Sequence, residues 1–432
     1  MALPRVTAKV RGGATPQGRL IAALISFFLA LGPVALPPVV EADSPDTWTL
    51  LTAPPTLGES PIFALAVDPA SGAVLVGTGA GALYRSTDHG LAWTLVIHDR
   101  SSILTIAFNP YATGHVLAGT QSDGIWSSTD AGVHWSRDLG SPNVAVRSLG
   151  FARSFGLAGT DHGVLINRGS SWVGTGLEQM RVDALAVPVA SDPAQIVVGG
   201  DFSRNGEQLP LYQAQDAGTD PLTWNLMKPP DGATGSVAAL AAGPVKGASR
   251  PLLLGTSTGA WLSPDSSTNW TAEAGLPGTD FNVAVFGPVW NWYYLASDGG
   301  GSVNGGLWSS GDFGATFKSF QPPVPTVSAV AVSSGNPPEL YVATYRPADH
   351  AIMLWSYQDA GGAPNPPTGG VPPVTTAVPG VVQPPIGHTN PIVARLEGPE
   401  GPYLAVGAAG LLLIVVALLS GVWRRRHRRH PV

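Results

Sequence analysis

Cysteine is absent from all 432 residues. That excludes disulfides, thiolate metal sites and a thiol nucleophile. Charge is scarce as well: Asp, Glu, Lys and Arg together make up 12%, about half the usual share of a soluble domain. What is abundant is Gly, at 54, and Pro, at 41. Such a composition suits short strands joined by tight turns better than helices.

The few charges are unevenly placed. Between Asp43 and Gly362 there are 26 acidic and 13 basic residues, while the last nine positions hold five arginines. An acidic body argues against nucleic acid as a partner, because phosphate binding needs a cationic face.

Two apolar runs bracket the body. Residues 1–42 read as a signal peptide: Arg5, Lys9, Arg11 and Arg19 precede Leu20–Leu31, which is too short to span a bilayer. Val40 and Ala42 place small residues three and one positions before a cut ahead of Asp43. An uncleaved anchor is the alternative, and it exports the following chain equally. The second run, Tyr403–Trp423, has 21 residues and no charge. As a helix it reaches about 31 Å, the thickness of the hydrocarbon core. The arginines of the tail 424–432 follow it directly, which places the tail in the cytoplasm and the body outside. Apolar helix and arginine cluster also resemble the tails that bacterial sorting enzymes remove, although Pro399-Glu400-Gly401-Pro402 departs from their motif. Residues 363–402 form a Pro-rich linker, expected to be extended polyproline II over its first thirty residues.

Within the body one short strand recurs seven times: at Val74–Thr78, Val116–Thr120, Gly156–Thr160, Ile196–Gly200, Leu252–Thr256, Tyr293–Ser297 and Leu340–Thr344. The spacings are 42, 40, 40, 56, 41 and 47 residues. An apolar strand precedes each copy and another follows it. A fourth strand is expected at the aromatics Trp93, Trp135, Trp172, Trp224, Trp270 and Phe317. A four-stranded unit of this size cannot bury both faces alone, whereas units stacked around an axis can. Residues 43–362 are therefore expected to form an all-β, seven-bladed propeller. The seventh unit lacks its fourth strand, and the spare strand Trp48–Leu51 lies at the other end. It is expected to complete the last blade and close the ring, which removes exposed strand edges.

The turns before the fourth strands carry a motif. Ser86-Thr-Asp88-His-Gly90-Leu-Ala-Trp93 and Ser128-Thr-Asp130-Ala-Gly132-Val-His-Trp135 match Ser-x-Asp-x-Gly-x-x-Trp in full. The turn with Asp312, Gly314 and Phe317 matches with Phe for Trp, and the one at Asp265 has lost its Gly. In these turns Asp accepts backbone N–H groups, Gly supplies positive φ and the aromatic packs on the blade, which makes the residues structural. The chain thus resembles the Asp-box, or BNR-repeat, propellers over about 43–362, a superfamily that includes sialidases, sortilin-type receptors and photosystem II assembly factor-like proteins. The resemblance implies the fold; the superfamily is too mixed to imply one function.

Loops leading into the innermost strands open around a propeller's channel. Here they carry Asp99, Arg100, Arg147, Arg181, Asp183 and Asp280. Arg100, Arg147 and Arg181 can converge on a carboxylate or phosphate, a placement resembling that in the assembly factor-like propellers. Alternatively, each is a solvated rim residue or the partner of a neighbouring Asp. A retaining sialidase needs, besides three arginines, an acid and a Tyr activated by Glu. The body has five glutamates and none on an evident inner strand. Asp201–Glu207 begins like a calcium loop, but Tyr212 stands where its last ligand belongs. The histidines have no metal-ligand spacing, and Asn269-Trp-Thr271 is a sequon. No catalytic set, metal or cofactor is implied. The expected function is a non-enzymatic, membrane-tethered module that binds an envelope or extracellular protein. A glycan-binding or sialidase-like surface protein is the alternative.

Overall fold

The computed structural model describes residues 47–361 apart from 56, 58–60, 170, 190–192, 202–208, 217, 219–220, 245–249, 277–279 and 300–304. The expected signal peptide, linker, membrane helix and basic tail lie outside the described residues, as does most of the Asp201–Glu207 loop. Among the described residues no helix is long and apolar enough to cross a membrane.

The chain forms seven four-stranded antiparallel sheets, each a simple meander. Blade one runs Ala64–Val67, Val74–Gly77, Ala82–Ser86 and Thr94–His98. Blade seven takes Val327–Val332, Glu339–Arg346 and Ala351–Gln358 from the end of the body and Trp48–Leu50 from its start. The register of the closing strand is Trp48↔Tyr357, Thr49↔Ser356 and Leu50↔Trp355. Two contacts sew this blade to its neighbours. The Trp48 indole donates to the Phe320 carbonyl at 3.0 Å, and Ser328 donates to the Ile62 carbonyl at 2.7 Å. Most fourth strands are short, and five begin one residue after the aromatic rather than at it; Trp172 and Trp48 start their own strands.

The recurring strand is the second of each blade, and its signature has a steric cause. Neighbouring blades cover both faces, so Val116–Thr120, Leu252–Thr256 and Tyr293–Ser297 are buried at every position. A continuous apolar run replaces the alternation of a half-exposed strand. The repeated Gly marks where the next blade's first strand approaches. A Cβ on Gly77 would stand 2.5 Å from Ile103, on Gly119 2.6 Å from Val146, and on Gly199 2.5 Å from Val237. The Thr that follows is buried, and its hydroxyl closes the turn to the third strand, as from Thr120 to the Gly124 carbonyl at 2.9 Å.

A second regularity concerns the first strands. Five of them slip register at one equivalent place, between Ile103/Thr105, Val146/Ser148, Val182/Ala184, Val237/Ala239 and Val327/Ala329. Each slip is a bulge, a device that re-aims a side chain. The bulged residues Leu104, Arg147, Asp183, Ala238 and Ser328 all line the central cavity.

The four-stranded meander also divides the connections. Those between first and second strands, and between third and fourth, lie on one face of the disc. Those between second and third strands, and between blades, lie on the other. We call these the turn face and the mouth face.

The Ser-x-Asp turns hold themselves together. In blade one the Asp88 carboxylate accepts the Ser86 hydroxyl at 2.7 Å and the Ala92 N–H at 2.9 Å, and Ser86 accepts the Gly90 N–H at 2.9 Å. Asp130 and Asp312 repeat the pattern. The His134 N–H and side chain, then the Ser128 hydroxyl, hold the Asp130 carboxyl well below the ordinary carboxylate range. Blade five keeps the same bonds without the glycine: Asp265 accepts from Ser263 and Asn269, and Ser267 takes φ +77° in the glycine's place.

Candidate functional site

The central cavity, of about 770 Å³, is lined from every blade by residues in or directly before the first strand. At its mouth the bulge positions form a ring of unlike chemistry. Phe63 and Asn282 hold the equivalent places in blades one and six, beside Leu104, Arg147, Asp183, Ala238 and Ser328. Blades one and two thus present hydrocarbon, and Phe63 is 53% exposed there. Blades three and four present charge, and blade six presents carboxyl and amide oxygens.

Of the residues singled out in the sequence, Arg147, Arg181, Asp183 and Asp280 line this cavity. Asp99 and Arg100 do not: Arg100 is exposed, and Asp99 accepts the Arg100 N–H at 2.6 Å and the Trp126 indole N–H at 3.2 Å. The two channel arginines do not stand free. Arg147 donates through Nε to Asp161 and lies 3.7 Å from Asp183. Arg181 donates through Nε to both Asp183 oxygens, at 3.0 and 2.9 Å, and reaches Asp201 at 3.2 Å. Two cations are therefore neutralised by three carboxylates. Burial raises the Asp183 pKa, and Arg181 and Arg147 offset part of that rise.

On the far wall burial raises the Asp280 pKa, and the neighbouring Asp298 raises it further. Asp280 Oδ1 and Asn282 Oδ1 are buried without a hydrogen-bond partner. Phe63, Asn282 and Asp298 were not singled out from sequence. The signal that could have found the first two is the bulge position, one residue beyond the apolar residue that opens each first strand.

A second feature lies in the seam between blades five and six. Three residues after the aromatic, five blades have a buried slot whose N–H bonds back to the third strand. Leu51, Thr175, Met227 and Phe320 occupy it in four blades. In blade five the slot holds Glu273, 8% exposed. Its carboxylate presses on Gly314, where an added Cβ would stand 1.9 Å from an oxygen. The Tyr293 hydroxyl meets it from blade six. Burial pushes Glu273 up to about 7; Tyr293 opposes the rise and Asp312 adds to it. Neither Glu273 nor Tyr293 lines the channel.

No protein-family model matches the chain, and no curated protein does. Solved structures that align with it include an ancestral GH74 enzyme at 15% identity, covering 68% of this chain and 56% of that one, with a TM-score of 0.44. The GH74 xyloglucanase from Xanthomonas campestris aligns at 15% identity over 66% and 51%, TM-score 0.45. YCF48 from Cyanidioschyzon merolae aligns at 12% identity over 72% and 98%, TM-score 0.49. The chain spans about half the length of the two GH74 structures. Likeness at these identities concerns the fold alone.

Proposed function

We propose that this protein is a non-enzymatic binding or assembly module, exported and tethered by its C-terminal apolar segment, that holds a protein partner at the channel mouth. The observation that supports this is the state of the mouth's cations. Arginines that would grip a substrate anion are already engaged by Asp161, Asp183 and Asp201. The Glu–Tyr pair that a retaining glycosidase of the sialidase type needs at its reacting centre is in a closed seam instead. What the mouth offers is an exposed aromatic beside a polar, net acidic wall. Buried aromatic anchors ringed by polar contacts carry much of the energy of protein interfaces.

The test is site-specific photo-cross-linking in the full-length chain, with a photoreactive phenylalanine at Phe63 and, as control, at Leu91, which is 46% exposed on the turn face. One discrete protein adduct at position 63 and none at 91 is the expected result. Equal labelling at both sites, or none at 63, would move the interface elsewhere. Glycan capture by the full-length chain that is lost in Phe63→Asp would replace the protein partner with a saccharide.

A further inference from the structure

We infer that the turn face, opposite the mouth, carries a site for an oxyanion, built from Arg153, Arg250 and Tyr111. These three come from blades three, five and two. Each lies in the connection between a first and a second strand: Tyr111 between Phe108 and Val116, Arg153 between Phe151 and Gly156, and Arg250 between Ala242 and Leu252. The meander brings all three connections to one face.

There the side chains meet. Arg250 Nη2 donates to the Tyr111 hydroxyl at 2.9 Å, across 139 residues of sequence. The Arg153 guanidinium lies over the same ring, 5.4 Å from its centroid. One tyrosine therefore holds two guanidinium groups, one at its edge and one on its face. Tyr111 also packs against the core between blades two and three, so the assembly has a fixed base.

The charge balance is what points to a ligand. Elsewhere on the disc most arginines and lysines are matched to acid, as Arg147 to Asp161, Arg168 to Asp216, Arg181 to Asp183, Lys318 to Asp359 and Arg346 to Asp349; Arg85 donates instead to the Ala131 carbonyl, and Arg100 is exposed. Among the described residues no carboxylate lies within 4.0 Å of Arg153 or Arg250. This happens in a body with twice as many acids as bases. Two like charges drawn to one side chain repel, and an anion placed between them removes that cost.

The donor set suits such an anion. Guanidinium forks pair with the two oxygens of a carboxylate or phosphate. The Tyr111 oxygen accepts from Arg250, which leaves its own proton to donate. Arg153 is exposed and also lines a cleft of about 350 Å³ between blades two and three, with Asn109 and His115, so an approaching group has access. The ligand is therefore a carboxylate or phosphate group, presented by an acidic peptide segment or free in solution. It engages the face that the mouth's partner leaves uncovered.

Arginine modification by phenylglyoxal, mapped by peptide mass spectrometry on the full-length chain, tests this. Inorganic phosphate and an acetylated triglutamate amide are the two probes. At millimolar probe, modification of Arg153 and Arg250 is expected to slow at least threefold while exposed Arg100 is unchanged. Protection by phosphate alone assigns a phosphate site, and protection by the peptide assigns a carboxylate site. Equal slowing at Arg100, or no slowing at either arginine, overturns the proposal. Tyr111→Phe keeps the ring and removes the hydroxyl, and it should weaken protection severalfold when each rate is compared with the same variant's rate without probe. Undiminished protection in that variant would remove Tyr111 from the site.

Discussion

The same backbone slot is filled with oil in one seam and with acid in another. Between blades seven and one, Leu51 packs on Gly90, close to Val74 in one apolar cluster. Between blades five and six, Glu273 presses on Gly314, and Tyr293 stands where Val74 would be. The two seams share strand order and the turn's pair of positive-φ residues, His89 and Gly90 in one, Phe313 and Gly314 in the other. What differs is the pairing: a leucine faces a valine, a carboxyl faces a hydroxyl. A repeat protein can thus exchange chemistry at an interface when both sides change together, because the slot demands volume rather than a residue type.

The comparison can be broken from the apolar side. Leu51→Glu puts a carboxylate where no hydroxyl meets it, and should cost at least about 3 kcal/mol at pH 7. Urea unfolding of the variant against the parent measures it. A loss below about 1 kcal/mol would mean that the slot is wetter than its 6% exposure indicates.

From the acidic side the signature is pH. The folded Glu273 pKa, about 7, lies above the unfolded value of 4.5. The folded state therefore holds the proton more tightly. This group's contribution is fully present below about pH 4.5 and is lost as pH rises to about 7, over a range worth up to about 3 kcal/mol. Glu273→Gln should flatten stability across that window. A parent curve with no fall between pH 5 and 7.5 would contradict the raised pKa. Replacing both partners, Glu273→Leu with Tyr293→Val, should recover part of what either single change loses, which a double-mutant cycle reads directly.

The smallest effect sharpens the comparison at the turn itself. Ser267 adopts φ +77° where the other turns place glycine. Ser267→Gly relieves left-handed backbone strain but gives up the bond from Gln195 at 3.1 Å. A gain below about 1 kcal/mol is expected, read as a shift in the thermal midpoint.

Much of the fold was legible because the repeat reports local requirements. The Gly-Thr pair stands in most second strands because a glycine there admits the close approach of the next blade and a small hydroxyl closes the turn; Ala296 and Ala343 hold the glycine's place in blades six and seven. The closing strand was visible as an arithmetic gap, one unit short of a fourth strand and one strand spare. Less of the site was legible. Arg147 and Arg181 line the channel, yet their partners Asp161 and Asp201 sit in loops between second and third strands, away from the motif positions. Arg181 directly precedes the opening strand residue Val182, whereas Arg100 stands three residues before the equivalent Ile103 and ends in solvent.

By itself the sequence determined the strand order, the blade count and which positions face a neighbouring blade. Each of these depends on contacts repeated at a fixed interval along the chain, and periodic burial leaves a periodic trace. Only the tertiary structure decided which charges cancel. It set Asp183 between two arginines, brought Glu273 to Tyr293 across a seam, and carried Arg250 across the disc to Tyr111. Those meetings join residues from different blades and occur once each, so no period records them. Charge pairing acts through a few ångströms of space and is indifferent to how many residues lie between the partners.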